Sequence, residues 1–250
     1  MPKHVSVAGK GGTGKTTLSA LLVKWLLGRG RTPVLVVDAD PNANLGEALG
    51  VKWEGTISEV LEKAKAKQGS AAGMTTSTFI EYELNRVLTE AHGFDLLVLG
   101  GPEGPGCYCF PNEMLRHYME ELSGNYPYLV MDNEAGLEHL SRRVARDVDV
   151  LLVTSDPTVR GIRSAERIAR LARSLGVVSG RVEFVLSMAR DGDEGALRGE
   201  MEALGVTPAA VIPYDETVVE FDLRGKPLFD LPADSPAWRA VADLAEKLGL

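Results

Sequence analysis

Gly9-Lys10-Gly11-Gly12-Thr13-Gly14-Lys15-Thr16 decides how the chain is read. The stretch satisfies G-x-x-x-x-G-K-[ST]. The apolar run His4–Ala8 precedes it, and helical periodicity over Lys15–Arg29 follows. In a strand that passes through a glycine loop into a helix, backbone N–H groups turn inward around phosphate oxygens, and the helix adds the positive end of its dipole. Lys15 is expected to reach β- and γ-phosphates, and the Thr16 hydroxyl to bind Mg²⁺. Gly9, Lys10, Gly11, Gly12, Thr13, Gly14 and Thr17 complete the expected cradle for ATP or ADP.

Outward from the loop, apolar β-rich runs alternate with helical patterns. Strands are predicted at Val34–Asp38, Phe94–Leu99, Tyr128–Asp132, Val148–Thr154, Arg181–Leu186 and Ala209–Ile212, besides His4–Ala8. Further helices are predicted at Ser58–Lys67, Asn112–Leu122, Leu137–Arg146, Arg163–Leu175, Glu194–Leu204 and Pro236–Leu248. Continuous apolar runs such as Val34–Val37 belong to strands buried on both faces. Strand–helix alternation implies one α/β domain over residues 1–250, with a doubly wound, mostly parallel sheet of about seven strands and helices on both faces. Gln68–Thr78, rich in Ala, Gly, Ser and Thr, reads as a surface loop. There is no internal repeat.

The 250 residues, 44% hydrophobic, suffice for a full core. A formal charge of −8 argues against a surface that coats nucleic acid. No apolar run reaches the ~18 residues of a membrane span, and the N-terminus reads as a strand rather than an export signal. A cytoplasmic setting is therefore expected, in which the two cysteines are thiols or metal ligands rather than a disulfide.

Ligands of such sheets bind beyond the carboxyl ends of the strands. There the sequence gathers Gly9–Lys15, Asp38 and Asp40, Cys107 and Cys109, and Asp132. A carboxylate at a strand end is often only a turn former or helix cap. Beside a phosphate loop, one carboxylate can hold the attacking water while another supports the magnesium shell.

Lys10, a second lysine within the loop, makes the segment resemble the deviant Walker A motif of the nitrogenase iron protein, Mrp and MinD/ParA ATPases. That resemblance implies a nucleotide-sandwiched homodimer in which Lys10 reaches the partner's phosphates and acts like an arginine finger. It also implies that Asp40 orients water with Asp38 in support. Tyr128–Met131 with Asp132 resembles a Walker B strand. The following Asn133-Glu134-Ala135-Gly136 resembles a switch whose Gly136 N–H meets the γ-phosphate.

Cys107-Tyr108-Cys109 narrows the resemblance. Residues two apart in an extended segment point to one side, a disulfide between them would be strained, and two thiolates make half of a four-coordinate soft-metal site. Phe94 through Cys109 resembles the CooC family, the ATPases that mature the nickel site of carbon monoxide dehydrogenase. The similarity continues through Asp38–Asn44, Asp132–Leu140, Thr154–Thr158 and Ile212–Glu216. It implies that the Cys107 and Cys109 pairs of two subunits bind one nickel or zinc ion, that ATP drives dimerisation, and that a client metalloenzyme receives the metal. Zinc, nickel and copper(I) all suit the thiolates. His139 could add a ligand, but a lone helical histidine is more often a surface residue. Relatives carry Asn near the end of the sixth strand to read adenine, whereas here Ser187 offers one hydroxyl. Pro213 and its backbone neighbours are expected to supply other base contacts.

Two other readings compete. An iron–sulfur reductase draws cysteines from two separated loops, and this chain has no cysteine after Cys109. A MinD/ParA-type positioning ATPase would act on membrane or DNA. Trp238–Leu250 offers it an amphipathic helix, but the terminal Lys247-Leu248-Gly249-Leu250 has no basic face. Trp25, Trp53 and Trp238 read as packing residues.

Overall fold

The computed structural model describes residues 3–67, 75–100, 117–135 and 148–250. Eight strands among these residues form one sheet, in the order β3-β4-β2-β5-β1-β6-β7-β8. They are β1 Lys3–Gly9, β2 Val34–Ala39, β3 Thr89–Ala91, β4 Phe94–Val98, β5 Tyr128–Ala135, β6 Val148–Ser155, β7 Val178–Ala189 and β8 Pro208–Pro213. The pairings are parallel except β3 with β4. The seven predicted strands are all present. The eighth, β3, was not predicted, because three residues on an antiparallel edge are too few to show a period.

Side chains alternate across the sheet and are buried on both faces. Leu35 and Val37 join one apolar cluster, and Val34 and Val36 the other. The first cluster packs under α3 (Ile57–Lys67), α4 (Thr76–Val87), helical residues 117–123 of α5, α6 (Val159–Leu175) and α7 (Asp193–Ala203). The second packs under α1 (Lys15–Gly28), α2 (Leu45–Leu49), α8 (Glu216–Leu223) and α9 (Pro236–Leu248). Helices α2, α4 and α8 were not predicted, and α4 begins inside the stretch read as a loop. The predicted helix Leu137–Arg146 lies outside the described residues, as does the first half of Asn112–Leu122.

Strand β1 lies between β5 and β6, with β2, β4 and β3 beyond β5 on one side and β7 and β8 beyond β6 on the other. The carboxyl end of β1 is therefore the switch point where such folds bind ligands. The helix that starts there, like α2 and α7, lacks the side-chain cap that four other helices carry. Side-chain oxygens of Thr75, Thr158, Asp215 and Ser235 cap α4, α6, α8 and α9. Helix α1 is preceded by Gly14 in the left-handed conformation (φ 77°), with no side-chain cap. Its first N–H groups are left for a ligand. Among the described residues no helix is long and apolar enough to cross a membrane.

Candidate functional site

The loop from Gly9 to Thr16 is held by its own threonine. Thr13 Oγ1 donates to Lys10 O at 2.8 Å and shares a hydrogen bond of 2.7 Å with Thr154 Oγ1 at the end of β6. Both threonines are buried. Gly9 passes so close that a Cβ there would sit 2.2 Å from Thr154 Oγ1. Thr154 entered the sequence reading as the end of a predicted strand and as part of a family resemblance, and its contact with the loop is a tertiary finding. Lys15 is buried and its ammonium leans on Lys10 O at 3.4 Å, whereas the Lys10 side chain is exposed. An exposed lysine beside a buried one suits a cation that acts outside its own chain.

Asp132 does not end its strand: β5 runs three residues further, to Ala135. The carboxylate is 1% exposed and accepts Thr16 Oγ1 at 2.6 Å and Ser19 Oγ at 3.3 Å, both from α1. Asp132 is therefore no helix cap. Asp38, in register with it on β2, is fully buried. It accepts the N–H of Asp40 at 3.1 Å and that of Leu45 at 2.9 Å, which folds the connecting loop back on itself.

Burial pushes Asp38 up to about 6, against the lowering effect of its two N–H donors, and the charge of Asp40 adds to the rise. Burial likewise pushes Asp132 up to about 7. The Thr16 hydroxyl offsets part of that rise, Asp38 adds to it, and Lys15 and Ser19 oppose it. Two desolvated carboxylates on adjacent strands with a threonine hydroxyl make a hard-oxygen set that suits a divalent cation. Among the described residues no three His, Cys, Asp or Glu side chains gather to hold a metal by themselves. Mg²⁺ does not need such a cage, since it keeps waters and borrows phosphate oxygens.

Two cavities flank the loop and share Gly12, Gly14 and Thr17. One, of ≈ 360 Å³, is polar and is lined by Lys15, Thr16, Asp40, Asn42, Asn44 and Glu134 among others. The other, of ≈ 290 Å³, is largely apolar, with Leu18, Leu21, Ile212, Val218 and Val241 in its walls. Ser187 and Pro213 line this second cavity, as expected for base contacts, together with Met188, Tyr214 and Asp222. The β7–β8 pairing slips by one residue between Leu186 and Ala189, and Met188 sits there with φ of 56°. Strain and bulges of this kind gather where side chains must be re-aimed at a ligand. Arg190 stacks its guanidinium over Tyr214, 4.5 Å from the ring centre, at the same edge. A polar cradle of N–H groups and an apolar slot, joined across one glycine loop, together match the two ends of a nucleoside triphosphate.

The structure thus brings together Gly9 through Thr17, Asp38, Asp40, Asp132, Ser187 and Pro213. Gly136, Cys107, Cys109 and His139 lie outside the described residues. The apolar slot was not legible as a motif, since its walls come from α1, β7, β8, α8 and α9.

Residues 5–228 match the model of the CobQ/CobB/MinD/ParA nucleotide binding domain family. An uncharacterized ATP-binding protein of Methanocaldococcus jannaschii is 39% identical over 247 residues, 98% of this chain and 97% of the relative. The carbon monoxide dehydrogenase accessory protein CooC of Rhodospirillum rubrum is 30% identical over 265 residues, 98% of this chain and 97% of its own length. Among solved structures, the cell division ATPase MinD of Pyrococcus furiosus superposes with a TM-score of 0.71 at 26% identity, covering 100% of this chain and 99% of that one.

Proposed function

The chain belongs to the CobQ/CobB/MinD/ParA nucleotide-binding domain family and is a P-loop ATPase, and on that premise we propose that it is a nucleotide-driven metallochaperone. Two copies close over Mg-ATP, and closure gathers Cys107 and Cys109 of both chains around one nickel or zinc ion bound for a client metalloenzyme such as carbon monoxide dehydrogenase. The observation that carries this reading is the pairing of two features. The alignment with the CooC accessory protein, 30% identical, extends over 98% of the chain, and the chain's only two cysteines form a C-x-C pair. That pair follows β4, whose carboxyl end faces the same sheet edge as the phosphate loop.

In this reading the uncapped first turn of α1 and the Gly11–Lys15 amides hold the phosphates, and Lys15 neutralises their inner charge. Thr16 and Asp132 would hold Mg²⁺, which supplies charge neutralisation at the β- and γ-oxygens. Asp40 orients water, and Asp38 shapes the loop that carries it. Lys10 serves the partner's phosphates, the Gly136 amide meets the γ-phosphate, and Ser187 with Pro213 contacts the base. The test is nickel and zinc titration of the wild type against the Cys107→Ser, Cys109→Ser double variant, with molecular mass measured with and without Mg-ATP. Wild type should bind about one metal per two chains and the double variant none. Equal metal binding by both would end the reading.

The likeness to MinD over the whole chain favours a second reading, a positioning ATPase acting on membrane or DNA. Against it, the apolar side of α9 is spent internally: Ala237, Val241, Leu244, Ala245 and Leu248 are buried in the core. Mg-ATP-dependent co-sedimentation with liposomes or DNA would establish this second reading instead.

A further inference from the structure

We infer that Glu134 is a second carboxylate of the hydrolytic site, acting on the attacking water from the β5 wall of the phosphate cavity and resting on the ATPase reading above. Pairing of β1 with β5 slips by one residue between Val7 and Gly9, so Asn133 and Glu134 together stand opposite Ala8. A bulge of this kind bends a strand and re-aims a side chain. Asn133 is locked in place, its Nδ2 donating to Ser6 Oγ and to Val7 O, both at 2.8 Å. The strand is thus pinned one residue before Glu134, which lines the cavity with Lys15, Thr16 and Asp40.

Neighbouring strands bring two acids to the same space. β2 and β5 run in register through Asp38 with Asp132 and Ala39 with Asn133. The next residues along are Asp40 and Glu134, and both line the cavity. Asp38 holds two N–H groups and Asp132 two hydroxyls. Asp40 Oδ1 accepts both the backbone N–H and the Nδ2 of Asn42, at 2.9 and 2.8 Å. Asp40 is thereby built into its own turn, and a carboxylate on the facing wall completes the grip on a water.

In the reaction the water oxygen bonds to the γ-phosphorus, and the bond from that phosphorus to the bridging oxygen breaks, its electron pair leaving on ADP. The proton shed by the water passes to the Glu134 carboxylate and from there to solvent. A carboxylate beside polyphosphate also repels it in the bound ground state. Removing the charge should therefore slow hydrolysis without weakening binding, an outcome that a merely structural role does not produce.

The experiment compares full-length wild type, Glu134→Gln, Glu134→Asp and Asp40→Asn by equilibrium binding of a fluorescent ATP, single-turnover phosphate release and thermal melting. Glu134→Gln is expected to hydrolyse ATP about 10²-fold or more slowly, to bind Mg-ATP as tightly as wild type or more so, and to melt like it. Glu134→Asp should keep part of the rate. A Glu134→Gln rate within about two-fold of an active wild type overturns the role of Glu134 and leaves the ATPase reading intact. Parallel losses of affinity and melting temperature would make Glu134 a structural post and also overturn it. A wild type that binds ATP but never turns it over overturns the ATPase reading, and the Glu134 role with it.

Discussion

Gly9→Ala probes how tightly the loop is clamped to the sheet. The added methyl would lie 2.2 Å from Thr154 Oγ1, 2.8 Å from Thr13 Oγ1 and 2.8 Å from the backbone oxygen of Thr154. The backbone oxygen cannot yield without disturbing the end of β6. The hydroxyls cannot yield freely either. They lie 2.7 Å apart, with Lys10 O 2.8 Å from Thr13 Oγ1 and Ala8 O 3.2 Å from Thr154 Oγ1, so their two protons are shared among three contacts. A β-branched side chain in a strand has few alternative rotamers. Overpacking of this kind costs about 1–3 kcal/mol, and a buried hydroxyl left without its partner costs about 1–3 more. The sum, about 2–6 kcal/mol, corresponds to a fall of roughly 4–24 °C in melting temperature for a chain of this size. Displacing Thr13 also releases Lys10 O and splays the N–H groups of the loop, so Mg-ATP affinity should fall at least tenfold. The assay is thermal unfolding without nucleotide, followed by equilibrium binding of a fluorescent ATP. Thr154→Ala introduced together with Gly9→Ala removes the 2.2 Å clash while leaving the two at 2.8 Å, so it should restore part of the loss, with a coupling energy of about 0.5–3 kcal/mol. An unchanged melting temperature and affinity in Gly9→Ala, or no coupling in the double variant, would refute the clamp.

Two further outcomes follow from the same geometry. On the proposed role of Lys10 at the partner's phosphates, Lys10→Ala should lower hydrolysis by about 10³-fold or more while sparing nucleotide affinity; wild-type turnover in that variant, measured by phosphate release, refutes action in trans. His4, buried on β1 with its Nε2 unpartnered, is held down to about 4 by burial against the opposing charge of Asp149. Its native pKa lies below the unfolded value of 6.5, so the unfolded chain takes the proton first as pH falls. The stability tied to neutral His4 is full above about pH 6.5 and is lost as pH falls towards 4, at about 1.4 kcal/mol per pH unit. Denaturant titrations at pH 7.5 and 5 should show a smaller acid loss in His4→Phe than in wild type, by about 2 kcal/mol; equal losses in the two proteins would refute the assignment.

The phosphate loop could be read from eight consecutive residues because its chemistry is local. Successive glycines set the backbone angles that turn the amides inward, and a strand before with a helix after is the only context the motif needs. The runs of β1, β2, β5 and β6 were legible for the same reason, since burial on both faces leaves few polar residues to interrupt them, such as Ser6 in β1 and Asp149 in β6. Strand order is not written in any run of residues. It decided that β2 and β5 adjoin, which set Asp38 beside Asp132 and buried both. It decided that Thr154 meets Thr13 from 141 positions away and that Asp132 meets Thr16 from 116. The apolar slot needed five elements to converge, and Glu134 was aimed by a slip of one residue between two strands. Such features arise from pairing and packing between distant segments, whose register depends on the summed fit of the whole sheet. A local pattern carries no trace of that sum.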